Sequence, residues 1–307
     1  FSIIISFSII FSQIKFRKPF EKIPLLFSLI FLGFFVAFRG ELTGTDTDTY
    51  RNIFSNINDP SKRIFENMDP IYLYLMWQFK ILIDDGGILF QAFNAIIQFT
   101  CLYYAWISTK LENFKPEYGL LVFIGLSSYL NYFNGMRAAT GVTIGLVAFS
   151  FLLRNNHIIF YFLVLMGALI HKGLIFLIII PFISEIRLSK KLLLCIWIFS
   201  FLFAFGNLRL FFLSTFIEYL GQISPFFNRG LDSFDISKVQ IVKFVSLNIL
   251  YYLLISWRSL KFEKLNKYLL NTFLFTVIFS NSMAGSGLVS RLILPFDAIL
   301  TIALPYF

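Results

Sequence analysis

The stretch ILFQAFNAIIQFTCLYYAWISTKLENFKPE (residues 88–117) contains the pattern that decides the fold. Its apolar part, 88–108, is long enough to cross the hydrocarbon core of a bilayer as a helix, which takes about 20 residues. It ends in the basic loop KLENFKPE (110–117). An apolar run closed by a short cationic loop is typical of a membrane-spanning segment.

The same pattern recurs along the whole chain. Many apolar runs are about 15 to 22 residues long, and the candidates are 1–14, 24–38, 71–83, 88–108, 119–134, 138–153, 157–170, 173–184, 191–207, 239–257, 268–283 and 288–307. Several are shorter than a perpendicular span needs, so we expect some re-entrant or broken segments. The sequence therefore predicts an all-α, polytopic integral membrane protein with about 10 to 12 hydrophobic segments. It predicts a single transmembrane domain over 1–307.

Composition excludes the other broad classes of protein. The chain has 307 residues, of which 58% are hydrophobic, 20% aromatic and 14% charged, and its mean hydropathy is +0.77. A soluble domain carries roughly 25% charged residues, and disordered chains are poor in aromatic residues. The net charge of +9 lies mainly in loops between apolar runs, so it indicates the positive-inside pattern and not nucleic-acid binding.

The basic loops predict the topology. We place these on the cytoplasmic side: 15–22, 110–117, Arg154, 187–191 and 258–267. The alternating segments are then exoplasmic, namely 39–70, 134–137, 171–173, 208–238 and the turn before Arg291. The short run 71–83 breaks the alternation, and we expect it to be interfacial or re-entrant and to pack against the loop 39–70. Both long loops lie on one side, which predicts that binding or chemistry occurs there.

Polar side chains at membrane depth are costly and are candidates for function. We single out Arg39 at the end of a span, Asp46 in GTDTD, Arg137 opening the span 138–153, His171 between two apolar runs, and Arg291 after a Gly/Ser-rich turn. Each has a structural alternative: an arginine at a span end often snorkels to the interface, a histidine can serve packing, and an aspartate can form a turn. Three arginines on the side that the positive-inside rule disfavours nevertheless indicate an anionic ligand, because guanidinium groups match phosphate oxygens.

Motifs for nucleotide, metal or serine-nucleophile chemistry are absent from the sequence. It has no GxxxxGK[ST], HExxH or GxSxG motif. Cys101 and Cys195 lie in apolar runs without a ligand-like spacing, so we expect neither a disulfide nor a metal site. We expect no cofactor, and the activated group must come with the substrate.

Several short motifs follow one another in order: Arg39, GTDTDTY (44–50), a Tyr-rich short span, Arg137-Ala-Ala at the start of a span, His171, and Ser290-Arg291. This order resembles the EpsG family of Wzy-type polysaccharide polymerases, multi-pass membrane enzymes of bacterial O-antigen, capsule and exopolysaccharide assembly. The resemblance covers nearly the whole chain. The sequence departs from the family at Lys172, where a serine often follows the histidine.

The resemblance implies a polymerase that joins polyprenyl-pyrophosphate-linked oligosaccharide repeat units at the outer face of the cytoplasmic membrane. Arg39, Arg137 and Arg291 would bind the departing pyrophosphate, and Asp46 or His171 would accept the proton of the acceptor hydroxyl. Expected partners are this lipid-linked donor, membrane lipid, and chain-length regulator and flippase proteins. A flippase or transporter of lipid-linked sugars and a membrane O-acyltransferase are the alternatives. Because the chain begins at Phe1 and ends in an apolar run, we expect both ends to be trimmed close to membrane segments.

Overall fold

The computed structural model describes residues 2–14, 20–40, 43, 46–58, 69–84, 86–111, 114–126, 128–186, 189–205, 238–256, 267–282 and 287–306. All regular structure in these ranges is helical, and none of their residues forms a strand. The all-α class predicted from the apolar runs is therefore confirmed.

Fourteen α-helices occur in the described residues: α1 Ser2–Ser12, α2 Ile23–Ala37, α3 Thr47–Asn56, α4 Pro70–Leu82, α5 Gly87–Ser108, α6 Pro116–Gly125, α7 Ser128–Asn134, α8 Met136–Leu152, α9 His157–Ile170, α10 Ile180–Ser184, α11 Lys190–Phe205, α12 Lys238–Ser256, α13 Lys267–Ser282 and α14 Gly287–Tyr306. Short 3-10 helices cover Phe20–Lys22 and Lys172–Ile179. Proline in the first turn begins α2, α4, α6 and α10, where its fixed φ suits a helix and its missing N–H costs no hydrogen bond.

The helices follow the predicted apolar runs closely. The run 119–134 is broken into α6 and α7, and the run 173–184 begins as a 3-10 helix, in line with the expectation of broken segments. The loop 39–70 contains the short helix α3. The other predicted exoplasmic loop, 208–238, lies outside the described residues except for Lys238, which begins α12.

Two of the described helical stretches are long and apolar enough to cross a membrane, 20–37 and 87–108, judged by length and composition. Shorter apolar helices cover 136–152, 157–170, 172–184, 244–256 and 293–306. These stretches agree with a membrane protein that has several short segments.

The chain forms two compact units. The first comprises 1–177 and 298–307, and the second comprises 178–297. In the first unit α5 packs between α2 and α8, and α8 also packs against α9. In the second unit α13 packs against α10, α11 and α12. The single transmembrane domain over 1–307 stays a prediction.

Contacts in the first unit gather helix ends into two groups. At one end, Ser108 Oγ donates to Ser150 Oγ at 3.1 Å, which joins the ends of α5 and α8. At the other end, the amide Nε2 of Gln91 in the first turns of α5 donates to the carbonyl of Ala37 at 2.9 Å, at the last residue of α2. The C-terminus of α2 and the N-terminus of α5 therefore meet at the end opposite the Ser108–Ser150 contact.

Helix α4 packs beside the N-terminal part of α5. Its Tyr72 hydroxyl donates to Asn94 Oδ1, two turns into α5, at 3.2 Å. Its second half contacts the loop 39–70, since Trp77 Nε1 donates to the carbonyl of Asn58 at 3.2 Å and Lys80 Nζ donates to the carbonyl of Ser55. The predicted packing of 71–83 against this loop is confirmed, and its position relative to the bilayer stays a prediction.

Glycines allow α8 and α9 to approach closely. A Cβ atom added to Gly141 would lie 2.8 Å from His171 Cβ, and one added to Gly145 would lie 2.8 Å from Leu177 Cδ1. On α9, a Cβ added to Gly167 would lie 2.5 Å from Leu174 Cδ2. Small residues spaced four apart are a common means of close helix packing in membrane proteins. Here they bring the segment that follows α9 directly onto α8.

The second unit has its own buried polar network. Asn248 on α12 and Asn281 on α13 exchange amide hydrogen bonds of 2.8 and 2.9 Å. Trp197 Nε1 on α11 donates to Asn248 Oδ1 at 2.8 Å, and Asn281 Nδ2 donates to Ser200 Oγ at 3.1 Å. These bonds tie three helices together, and they satisfy polar groups that burial would otherwise leave without partners.

Candidate functional site

Arg39, the first predicted arginine, is buried just beyond the end of α2. It is 4% exposed. Its Nε donates to Thr47 Oγ1 at 2.7 Å, and its Nη1 donates to the carbonyls of Val36 at 3.1 Å and Tyr132 at 3.2 Å. Nη2 is buried and finds no hydrogen-bond partner among the described residues. Burial lowers the pKa of Arg39 to about 10, which leaves the guanidinium charged at neutral pH.

The main chain of Arg39 is held as well. Its carbonyl accepts a hydrogen bond from Arg51 Nη2 on α3 at 2.9 Å, and a longer one from Gln91 Nε2 on α5 at 3.4 Å. Because helix ends leave carbonyl groups without intrahelical partners, these donors satisfy the chain where α2 stops. They also bring a second cation beside Arg39.

Asp46 lies directly before α3. Its carbonyl accepts the N–H of Tyr50 at 2.9 Å, while its side chain makes no capping hydrogen bond to the described first turn of α3. The carboxylate is close enough to Arg39 and to Tyr50 to act on both electrostatically. Asp46 and Arg39 are therefore neighbours in the folded chain.

Arg137 is the second residue of α8. Its side chain is 14% exposed, and its Nη1 lies 3.1 Å from Asp69 Oδ2. Its Nε and Nη1 are both buried and form no hydrogen bond in the part of the chain that the structure describes, so the contact of Nη1 with Asp69 is an ion pair only. The N-terminal end of α8 adds a partial positive charge beside the guanidinium.

Asp69 precedes Pro70 at the start of α4 and is 4% exposed. Besides Arg137, its carboxylate meets Lys172, whose Nζ lies 3.9 Å from Oδ1. Burial raises the pKa of Asp69, while the charges of Arg137 and Lys172 oppose that shift. One buried carboxylate is thus shared between two cations.

His171 ends α9 and is 3% exposed. Its N–H donates to the carbonyl of Gly167 at 2.8 Å, and its own carbonyl accepts the N–H of Leu174 at 3.0 Å. Its Cβ faces Gly141, which follows Arg137 by four residues and therefore lies one turn further along the same face of α8. His171 is next to α8 and adjacent in sequence to Lys172.

Tyrosines 50 and 72 lie among these charged groups. The two rings pack edge to face, with centroids 6.0 Å apart. Arg39 and Arg137 both act electrostatically on Tyr72, which places the two arginines around the same side chain. Burial raises the pKa of Tyr50, so this phenol is neutral at physiological pH.

A row of amide side chains on α5 supports the site by binding the start of α8. Gln91, Asn94 and Gln98 are spaced i, i+3 and i+7 and are all at most 2% exposed. Asn94 Oδ1 accepts from Thr140 Oγ1 at 3.0 Å, and Gln98 Nε2 donates to Thr140 Oγ1 and to the carbonyl of Met136, both at 3.0 Å. The amides therefore bind the first turn of α8, which carries Arg137.

Four of the five predicted site residues thus lie in the first unit, and contacts connect them: Arg39, Asp46, Arg137 and His171. The side chain of Arg291, on α14, lies outside the described residues. Sequence reasoning missed the roles of Asp69 and Lys172 and of the amide row. The amides do leave a sequence signal, because three polar residues at helical spacing interrupt the apolar run 88–108.

A sequence profile of the EpsG family matches residues 22–307, which include every predicted site residue. The chain belongs to the EpsG family. This is a family of Wzy-type polysaccharide polymerases, so this EpsG-family chain has a polymerase-type role in polysaccharide biosynthesis. Family membership and the apolar helices together indicate a membrane protein. No curated protein and no solved structure matches the chain.

The described residues contain no group of three or more His, Cys, Asp or Glu side chains that could hold a metal ion. Cys101 is half-buried and Cys195 exposed, and both are free thiols. The chemistry that the described site offers consists of guanidinium and ammonium groups, two carboxylates, an imidazole and two phenols. Such a set can bind an anion and accept a proton.

Proposed function

We propose that this EpsG-family chain joins polyprenyl-pyrophosphate-linked oligosaccharide repeat units at the outer face of the cytoplasmic membrane, in the synthesis of a bacterial surface polysaccharide. The observation that carries the proposal is the cationic cluster around the start of α8, in which the side chains of Arg39 and Arg137 are largely buried. Burying a cation is costly unless it is paired, so a cluster with excess positive charge indicates a site for an anion.

The charge of the cluster suits a lipid pyrophosphate. Its four cations exceed its two carboxylates by two charges, the members being Arg39, Arg51, Arg137 and Lys172 on one side and Asp46 and Asp69 on the other. A pyrophosphate esterified at both ends carries one negative charge on each phosphate. Binding it would neutralise the excess.

Two buried guanidinium nitrogens support the donor side of the proposal. Arg39 Nη2 and Arg137 Nε have no hydrogen-bond partner among the described residues, and a phosphate oxygen would supply one. In the reaction, the bond between the anomeric carbon of the growing chain and its phosphate oxygen breaks. Negative charge then grows on the departing pyrophosphate, and fixed cations stabilise that charge most in the transition state. Arg291 is proposed as a third donor.

The acceptor side needs a proton acceptor. As the hydroxyl of the next repeat unit forms its bond to the anomeric carbon, its proton must leave, and we propose that the Asp46 carboxylate takes it. Asp46 lies next to Arg39, in the cluster that would bind the leaving group. His171, beside α8 and adjacent to Lys172, is the alternative acceptor.

The test is a strain that lacks this chain. A polymerase defect leaves lipid-linked single repeat units on the exoplasmic side and abolishes polymer, whereas a flippase defect leaves them on the cytoplasmic side. Purified protein supplied with the lipid-linked repeat unit should produce a ladder of longer glycans and release polyprenyl pyrophosphate. Accumulation on the cytoplasmic side, or no ladder from folded protein, would contradict the proposal.

A further inference from the structure

Asp69 occupies a helix-capping position without using it. The residue before α4 is followed by Pro70, the usual arrangement at a helix start. An aspartate there normally accepts a hydrogen bond from an N–H of the first turn, which contributes about 1 kcal/mol. Within the described first turn of α4, Asp69 makes no such bond. Its carboxylate is directed elsewhere.

The carboxylate instead connects three elements. Oδ2 lies 3.1 Å from Arg137 Nη1 at the start of α8, and Oδ1 lies 3.9 Å from Lys172 Nζ just beyond α9. Its side chain is 6% exposed, that of Arg137 14% and that of Lys172 58%. The pair with Arg137 is thus largely shielded from water, and a shielded charge pair is stronger than one at the surface. Lys172, by contrast, is largely exposed to solvent.

We propose that Asp69 is a positioning residue that holds Arg137 and Lys172 together at the anion site. This inference rests on the proposed function and adds a residue to its site. Arg137 has a long side chain with several rotatable bonds, and the ion pair of its Nη1 with Asp69, 3.1 Å long and without hydrogen-bond geometry, favours one orientation of the guanidinium. In that orientation Nε remains available to a phosphate oxygen. Lys172 is drawn to the same carboxylate and adds a second charge beside the anion.

Two other roles for Asp69 make different predictions. If it were only a competing negative charge, removing it would strengthen donor binding and leave turnover unchanged. If it only stabilised the start of α4, removing it would lower stability without any coupling to Arg137. A positioning role lowers turnover, and it makes the effects of changing Asp69 and Arg137 overlap, because both changes remove the same contact.

The first experiment measures this overlap and does not need polymerase activity. Asp69→Asn, Arg137→Gln and the double variant are purified in detergent, and their melting temperatures are compared. We expect each single variant to lower the melting temperature and the double variant to lower it no further than the worse single variant. If the two single shifts simply add, Asp69 does not hold Arg137 and the proposal is wrong, whether or not the chain is a polymerase.

The second experiment separates kcat from KM with the lipid-linked repeat unit as substrate. Asp69→Asn should lower kcat on the order of ten- to a hundred-fold, the effect expected of a misplaced binding group, without raising KM, since the site gains positive charge. Asp69→Glu should recover part of kcat. Lys172→Gln changes a largely exposed side chain, is expected to fold, and should lower kcat less than Asp69→Asn.

The matched control is Asp48→Asn, which neutralises an exposed aspartate on α3 and should leave kcat unchanged. An unchanged kcat in Asp69→Asn with a lowered KM would overturn the positioning role while wild-type activity still supports the proposed function. If Asp69→Asn does not fold, the comparison rests on Asp69→Glu and Lys172→Gln, and wild-type kcat in both would overturn the inference. Wild-type protein without activity contradicts the proposed function alone, because the melting comparison is independent of it.

Discussion

At the scale of single residues, the two described arginines of the site are held by different kinds of partner. Arg39 donates to a hydroxyl and to main-chain carbonyls, none of which carries a full charge. Arg137 faces the carboxylate of Asp69. An incoming anion therefore meets one guanidinium whose charge is not neutralised by a direct partner in the described residues, and one whose charge is already shared.

Replacing Arg137 by lysine keeps the charge and removes the planar fork, so it should impair polymerisation. We expect kcat to fall by about a hundred-fold, as for loss of one donor to a developing anion. Polymer length and kcat with the lipid-linked repeat unit are the measurements. The control is Arg154→Lys at the far end of α8, where the arginine donates to the carbonyl of Ser150 and lies over the Phe151 ring. Equal activity in the two variants would remove Arg137 from the anion site.

Asp46→Asn tests the proposed proton acceptor. An amide cannot take the hydroxyl proton, and loss of a general base typically lowers turnover about 10²- to 10⁴-fold. The binding of the donor should change little, so kcat falls more than KM rises. The same change at the exposed Asp48 serves as the control. Should Asp46→Asn polymerise normally while folded and inserted, Asp46 is a turn residue and His171 becomes the candidate to test.

The site residues that sequence predicted share a property that is visible without a fold. Arg39, Arg137 and His171 are polar groups at the ends of apolar runs, where their cost in a membrane signals a purpose. Asp69 has no such mark, because it lies in a long polar loop among other acids. Only the fold, in which α4 packs against α9 and Asp69 meets Arg137 of α8, shows that this one carboxylate is buried between two cations.

At the scale of helices, close packing of α8 against the segment after α9 fixes His171. The Gly141 backbone leaves no room for a side chain: an added Cβ would lie 2.8 Å from His171 Cβ and 3.1 Å from Leu174 Cδ1. The position of His171 relative to Arg137 therefore depends on a residue that carries no functional group.

Gly141→Ala should force these segments apart. We expect a loss of about 1–3 kcal/mol in the free energy of unfolding, as for overpacking elsewhere, together with reduced polymerisation because His171 shifts. Unfolding in a denaturing detergent mixture measures the first effect. Gly125→Ala is the matched control, since an added Cβ there meets no described atom within 4 Å, and alanine is the better helix former. Two variants of equal stability would show that α8 has room at Gly141.

In the second unit the prediction concerns the amide pair that joins α12 and α13. Asn281→Ala removes hydrogen bonds to Asn248 and Ser200 and should cost about 1–3 kcal/mol in the free energy of unfolding. Thr272→Val on the same helix should cost less than about 1 kcal/mol, because the buried Thr272 hydroxyl has no partner among the described residues. Equal costs would show that the amide pair does not hold the helices together.

Most helices were predictable because apolar length and proline at a helix start are local signals. Broken segments were expected, but the position of the break between α6 and α7 was not predicted, although α6 ends at Gly125, a weak helix former. The amphipathic helix α3 was also missed inside the polar loop 39–70. Its Tyr50 and Phe54 are buried against α4 and α5, and that stabilisation comes from tertiary packing.

At the scale of the whole chain, the basic loops predict which segments face the cytoplasm. In a chain whose native cysteines have been replaced, Ser55→Cys and Ser189→Cys each put a thiol at an exposed serine. An impermeant thiol reagent should label Ser55→Cys in intact protoplasts and should label Ser189→Cys only after the membrane is opened. The opposite result would invert the predicted orientation.

Helix α4 does not change the end of the first unit at which the chain lies. It contacts α5 two turns from its N-terminus through Tyr72, and in its last turn Lys80 contacts Ser55, so both ends of α4 lie toward the N-terminal end of α5. Within the first unit, such a helix adds no passage from one end of the unit to the other. Helices α2 and α5 are therefore antiparallel, which brings the start of α6 beside the start of α2. The ion pair of 3.9 Å between Lys22, directly before α2, and Glu117, in the first turn of α6, joins these two helix starts.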